Sequence, residues 1–303
     1  MARKTIRTAI TSLAVLALAG GALTACSSDS SDPSDKGGDQ KTVRLGVVGA
    51  ADPYWAEYEK AVEEELDIDL KIVDFGEYNL PNPALEAGDL DINQFQHIIF
   101  LAEHNAATGD DLTPIGSTAI YPLSVHSQKY KSIDEIPKGE KIAVPNDPSN
   151  KARALLVLQQ AGLIKLKDGG NTGSTLDDVL TDESKVTVTE FDAALTASVL
   201  NDVAAAVVNN DFVEKAGLGF NDALFLDDPN DPSSLPYVNI FAVRADDADN
   251  ELYKQLVEIY HNTAAVTDGV QDVSGGTAVI TNTPAADLQK ALEKQLEIVK
   301  ASE

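Results

Sequence analysis

Two β-rich runs, residues 42–48 (TVRLGVV) and 69–75 (DLKIVDF), bracket a stretch in which Trp55, Tyr58, Val62 and Leu66 recur at helical spacing. A strand, a helix of that length and a second strand join two parallel neighbours through a right-handed crossover. Asp52-Pro53 reads as an N-cap followed by a first helical residue. Further strands are expected over 112–117, 121–126, 141–144, 186–190, 204–208, 223–226 and 236–243. Helices are expected over 84–87, 96–108, 151–161 and 193–200. The tail carries an amphipathic helix around Leu252, Val257 and Tyr260. After Thr283-Pro284, another carries Leu288, Leu292, Leu296 and Val299. Strands alternating with helices argue for a doubly wound α/β architecture, and no internal repeat is visible.

The first residues stand apart from that body. Arg3, Lys4 and Arg7 form a basic start, residues 10–23 are an apolar Ala- and Leu-rich run, and the whole reads as a secretory signal over 1–25. It ends in Leu23-Thr24-Ala25-Cys26, which resembles the lipobox of bacterial lipoproteins, so Cys26 is expected to carry the lipid. Cys26 is the single cysteine, which excludes a disulfide within one chain. Residues 26–41 hold Ser, Asp, Gly, Pro and Lys and almost no apolar side chain, the composition of a flexible tether. The expected location is the extracytoplasmic side of a cell membrane, with at least two acyl chains for lasting attachment.

The formal charge is -26. Removal of residues 1–25 takes away three basic and no acidic residues, giving 20 − 49 = −29. Such a surface excludes nucleic acid as a partner, because phosphate neutralisation needs a basic face. There is no HExxH, no G-x-S-x-G, no Walker loop and no cysteine nucleophile, so neither enzyme activity nor a cofactor is expected. His97 and His104, with Glu103 between them, are the nearest approach to metal-ligand spacing, and His126 and His261 lack any such neighbours. A metal-binding lipoprotein is therefore a minor alternative.

The stretch most suggestive of a site is Gly88 to His97, where acidic and amide residues surround a few apolar ones. In a strand, Phe95 and His97 share a face, and the carboxyl end of such a strand is where open α/β sheets bind ligands. The bland alternative is a core phenylalanine and a satisfied histidine. Tyr78, in the loop after the second strand, is open to either a packing or a contact role, and prolines 81 and 83 argue against helix there. Arg153 falls in the first turn of the helix expected from Lys151, where the dipole disfavours a cation. Either a bidentate bond to a ligand carboxylate or a pairing with Asp147 would account for it. Asn209, at a strand's end, is a turn former or a ligand contact. Asn239, inside an apolar strand, needs a hydrogen-bond partner.

Together these segments resemble the NlpA/MetQ family, the lipid-anchored substrate-binding proteins of methionine ABC importers. The resemblance rests on Tyr78-Asn79-Leu80-Pro81-Asn82, Phe95-Gln96-His97, Tyr121-Pro122, Val144 to Asn150 with Arg153, Gly162 to Gly169, and Pro236-Tyr237-Val238-Asn239. It implies a two-domain periplasmic-binding-protein-like fold, each domain a mostly parallel sheet flanked by helices, with the ligand in the cleft between. The first domain would take 42–123 and 238–303, the second 124–237. It implies that Tyr78, Phe95 and His97 line the thioether pocket, that Arg153 holds the α-carboxylate, and that Asn209 and Asn239 fix the polar groups at the α-carbon. The implied partners are L-methionine and an ABC permease, with the protein a monomer. D-methionine, another amino acid or a short methionine-containing peptide are alternative ligands. The sequence departs from the family pattern at Asn210-Asp211-Phe212-Val213, where small hydroxyl residues and then a tyrosine are usual, and in its long C-terminal helix.

Overall fold

The structure, a computed structural model, describes residues 40–302. The expected signal, the lipid site Cys26 and nearly all of the expected tether lie outside the described residues.

From β1 (Lys41–Val47) the chain passes through α1 (Tyr54–Leu66) to β2 (Ile68–Asp74), then α2 (Pro81–Glu86), β3 (Ile92–His97) and α3 (Ile98–Thr108). β4 (Thr113–Ser117) and the short β5 (Ala119–Ile120) follow before the chain crosses to a second sheet. There β6 (Ser124–His126), β7 (Lys141–Pro145), α4 (Pro148–Gln160), β8 (Thr187–Phe191), β9 (Ala205–Val208), α5 (Asn210–Val213) and β10 (Phe225–Leu226) succeed one another. β11 (Asn239–Val243) returns to the first sheet. It is followed by α6 (Glu251–Asn262), α7 (Ala264–Val273), β12 (Val279–Ile280) and α8 (Ala285–Ser302).

The fold is α/β, with two mixed five-stranded sheets flanked by helices. The first runs β2-β1-β3-β11-β4 and the second β10-β6-β9-β7-β8. Each follows one plan. A strand pairs in parallel with two neighbours, β1 with β2 and β3, β7 with β8 and β9. Two antiparallel pairings then complete the sheet, β3 with β11 and β11 with β4, β9 with β6 and β6 with β10. The parallel crossover expected from residues 42–75 is the β1-α1-β2 unit, in register from Lys41 against Ile68 to Val47 against Asp74.

Each sheet has its own apolar core. Leu45, Val47, Tyr58, Val62, Phe241, Val243 and Tyr260 pack on the first, and Ile142, Val144, Leu155, Leu158 and Val207 on the second. A further cluster joins them, bringing Tyr78 and Phe95 against Val208, Phe212 and Phe220. The C-terminal helix is part of the fold, because Leu288 and Leu292 of α8 are buried with Leu101, Ala102, Leu112 and Ile240. Burial of each such leucine contributes about 1.5–3 kcal/mol.

Several boundaries differ from expectation for local reasons. Pro53, not Asp52, occupies the cap position of α1, with no side-chain cap bond. Pro81 and Pro83 begin α2 instead of forbidding it, since first-turn N–H groups lack helical partners anyway. Gln96 and His97 belong to β3 and not to the following helix. α4 starts three residues earlier than expected, at Pro148, with Asp147 accepting the Asn150 N–H as its cap, so Arg153 stands in the second turn. Residues 193–200 form a short 3₁₀ turn at Ala193–Leu195 and further turns, not a helix. Residues 121–123 cross between sheets, and the run expected as a strand from 236 is strand only from Asn239, which therefore opens β11 instead of interrupting it. α7 was not anticipated.

Gly116 of β4 tests the packing of α6 on the first sheet. A Cβ there would sit 2.4 Å from Val257 Cγ1, too close to fit without movement. Gly116→Ala is expected to cost about 1–3 kcal/mol by overpacking, read as a lowered Tm. Combined with Val257→Ala the loss should fall short of the sum of the two single changes; simple additivity would contradict the contact.

Candidate functional site

One cavity is lined by Tyr78, Phe95, His97, Arg153, Asn209 and Asn239. These six residues, spread from position 78 to position 239 and over both sheets, are the six singled out in the sequence, and the fold brings all of them together.

The first sheet contributes the aromatic side. Every residue of β3 is buried, as befits a strand covered on both faces, and its register sets His97 opposite Asn239 on β11. The Tyr78 ring lies 6.0 Å from Phe95 and 6.1 Å from Phe100, and Phe95 and Phe100 meet edge-on at 5.8 Å. Behind them a buried amide network fixes β3. Asn82 Nδ2 donates to Gln96 Oε1 at 2.8 Å, and Asn93 Nδ2 donates to Asn82 Oδ1 at 2.9 Å.

His97 ends β3 and caps α3, its Nδ1 accepting the Phe100 N–H at 3.2 Å. That bond leaves the ring proton on Nε2, which lies 3.4 Å from Asn150 Oδ1. Burial, aided by the Arg153 charge, pushes its pKa down to about 3, so His97 is a neutral donor here.

The second sheet and the two crossing segments contribute the polar side. Arg153 is only 6% exposed. Its Nε donates to Asp227 Oδ2 at 2.9 Å, its Nη2 donates to the Tyr121 carbonyl at 2.8 Å, and its guanidinium carbon lies 4.4 Å from the Tyr237 ring centre. Asp227, not Asp147, is the ion partner; Asp147 is held instead by Asn150, whose backbone and side-chain N–H groups donate to its Oδ1. Asn209 Nδ2 donates to Asn150 Oδ1 at 2.8 Å, while Asn209 Oδ1 is buried with no partner among the described residues. An orphaned buried acceptor of this kind is uncommon. Opposite, the Tyr78 hydroxyl donates to Asp211 Oδ2 at 2.7 Å. Aromatic carbon on one side and a fixed cation, amides and a free acceptor on the other suit a small zwitterion with an apolar tail.

The family description "NlpA lipoprotein" matches residues 43–281. The chain belongs to the NlpA lipoprotein family. The D-methionine-binding lipoprotein MetQ of Escherichia coli is 36% identical over 262 residues, 85% of this chain and 92% of that protein. Among solved structures, a nutrient-binding protein from Burkholderia cenocepacia bound to methionine superposes with a TM-score of 0.73 at 37% identity, covering 79% of this chain and 99% of that one. An ABC transporter periplasmic substrate-binding protein from Coxiella burnetii gives 0.73 at 35% identity, covering 79% and 100%.

Several residues at this cavity carried no assigned role in the sequence. Asn150 was visible only as part of a helix start, Phe100 as core, and Tyr121 and Tyr237 as members of short motifs. Asp227 lies in a polar loop 74 positions from Arg153, and no local signal marks it. The histidines are dispersed. His104 bonds Asp110 at 2.8 Å, His126 bonds Ser124 at 2.9 Å, and His261 bonds the Ser117 carbonyl at 2.8 Å. Among the described residues no three His, Cys, Asp or Glu side chains gather to hold a metal. Among them also, no helix is long and apolar enough to cross a membrane.

Glu103 of α3 reaches across to α4, its Oε2 accepting the Ser149 N–H at 3.0 Å. Burial raises its carboxyl from 4.5 to about 7. A carboxyl raised on folding contributes stability below its ordinary value, and that contribution is lost as pH rises through about 7. Glu103→Gln keeps the acceptor without the charge. It should match the parent in Tm near pH 5 and exceed it near pH 8; a difference independent of pH would contradict the assignment.

Proposed function

We propose that this protein is the substrate-binding component of an ABC importer for methionine and that it captures L-methionine in the Arg153 cavity. The observation that carries the reading is the convergence on one cavity of all six side chains that the family resemblance implied. The thioether lies against Tyr78, Phe95 and Phe100, since polarisable sulfur favours aromatic surfaces. The carboxylate takes N–H donors of Arg153 left over from Asp227 and Tyr121; a guanidinium has five donors, and those two bonds use two. The α-ammonium donates to the orphaned Asn209 Oδ1, and the Asn239 amide completes the polar end. His97 closes the pocket as a neutral donor. The protein acts by binding and not by catalysis.

The two sheets serve as two domains, 42–123 with 238–303 and 124–237, that close on the ligand by a hinge at the crossing segments. The cavity walls come from both, so closure removes the zwitterion from water and opening releases it to a permease. A lipid on Cys26 holds the protein, as a monomer, on the extracytoplasmic face of the membrane. D-methionine is the second reading, favoured by the name of the Escherichia coli relative.

Two variants test the assignment after the protein is unfolded and refolded to remove bound ligand. Arg153→Ala should weaken L-methionine binding by about 2–5 kcal/mol, the cost of losing one partner of a buried charge contact. Methioninol, which lacks the carboxylate, should bind the parent weakly and lose little further affinity in the variant. Equal losses for both ligands, or none, would contradict the carboxylate role of Arg153. Asn239→Ala should weaken binding of both L- and D-methionine while leaving Tm close to the parent; a large fall in Tm with affinity intact would make Asn239 a structural residue.

A further inference from the structure

A second hollow lies beyond Tyr121 and Asn210, which line both it and the Arg153 cavity. Its walls carry Asp52 and Tyr54 from the start of α1, Tyr121 from the first crossing segment, and Asp211, Glu214 and Lys215 from α5 and the turn after it. Three carboxylates against one ammonium leave a formal surplus of negative charge.

Tyr54 and Tyr121 are each only 7% exposed, and their hydroxyls, which make no hydrogen bond among the described residues, keep accessible surface where the two residues line this cavity. The Asp52 carboxylate is half-buried and, among the described residues, receives no hydrogen bond and forms no ion pair. Lys215 attracts Asp52 and Asp211 through space but makes no ion pair with either among the described residues, its Nζ lying 5.5 Å from the centre of the Phe212 ring. Burial lifts Asp52 to about 6 and Asp211 to about 7, and the Coulombic influence of both carboxylates reaches the Tyr54 and Tyr121 phenols. An unpaired carboxylate and two phenol oxygens, in a hollow with a formal excess of negative charge, can receive a cation that brings its own N–H groups.

We propose that this cavity is a second ligand site and that it takes a primary ammonium group. Such a group has three donors and no acceptor, which matches one unpaired carboxylate and two unpaired phenol oxygens. The aromatic walls of Tyr54 and Phe220 add attraction for a cation. A metal ion fits poorly, because the carboxylates on these walls do not converge closely enough to hold one among the described residues. Bound ammonium would tie Asp52, beside the first sheet, to Asp211, beside the second. The assignment does not rest on the ligand of the Arg153 cavity.

The chain has one tryptophan, Trp55, whose ring centre lies 4.7 Å from that of Tyr54, so its fluorescence reports on the site. The full chain, refolded free of ligand, is titrated with methylammonium chloride and separately with tetramethylammonium chloride at fixed ionic strength. A saturable change with methylammonium alone is expected, with the midpoint raised at least tenfold in Asp52→Asn. Tyr121→Phe, which keeps the ring and removes the oxygen, should raise it also, and circular dichroism checks that both variants are folded. No saturable change in the folded protein, equal responses to the two cations, or midpoints unmoved in both variants would each overturn the proposal.

Discussion

The buried guanidinium of Arg153 is the point at which chain connectivity and site chemistry meet. It projects from α4, bonds the Tyr121 carbonyl in the segment that leaves the first sheet, and pairs with Asp227 and stacks on Tyr237 in the segment that returns to it. One side chain thus ties the second sheet's helix to both crossings. A guanidinium suits this place because its planar fork donates in several fixed directions while its face packs on a ring. Its burial would be costly if unpaired, and Asp227 offsets that cost. Asp227 is itself held by the Leu123 N–H at 2.7 Å. The pair therefore fixes a positive charge in a cavity that otherwise offers amides and aromatic carbon.

Around that charge the remaining polar groups are chained. Asp147 caps α4 and grips Asn150; Asn150 turns its carbonyl oxygen to Asn209 and to His97; His97 in turn caps α3. A single line of hydrogen bonds runs from one sheet's helix to the other's. The low pKa of His97 belongs to the same arrangement, since a second positive charge so near Arg153 in a dry site is disfavoured. Because the line crosses between the sheets, any movement of one against the other must break the His97–Asn150 contact.

Much of the fold was legible because its signals are local. The β1-α1-β2 unit shows in strand-like runs around a helical period, and the C-terminal helix shows in Leu288, Leu292, Leu296 and Val299. Boundaries failed where tertiary context decided them. Asn239 looked like an intruder in an apolar strand, yet the 3₁₀ turn that ends at Tyr237 and the connecting Val238 both precede β11. Residues 193–200 have helical composition but remain a succession of tight turns. Pro81 and Pro83 look like breakers until both are seen to occupy a first turn, where proline removes no bond.

The site was legible in a different way. Phe95 and His97 could be paired from strand period alone, and Arg153 attracted notice through a dipole argument that its true position, in the second turn, does not support. The short-motif resemblance named six residues that the fold gathers on one cavity. Asp227 and the orphaned Asn209 oxygen were invisible, because pairing across 74 positions and the lack of a donor are properties of the folded arrangement. The most direct measurement of the central claim is a crystal structure of the refolded protein grown with L-methionine. The account predicts the carboxylate on Arg153, the ammonium at Asn209 Oδ1 and the sulfur among Tyr78, Phe95 and Phe100. Methionine bound elsewhere, or with its carboxylate turned away from Arg153, would contradict it.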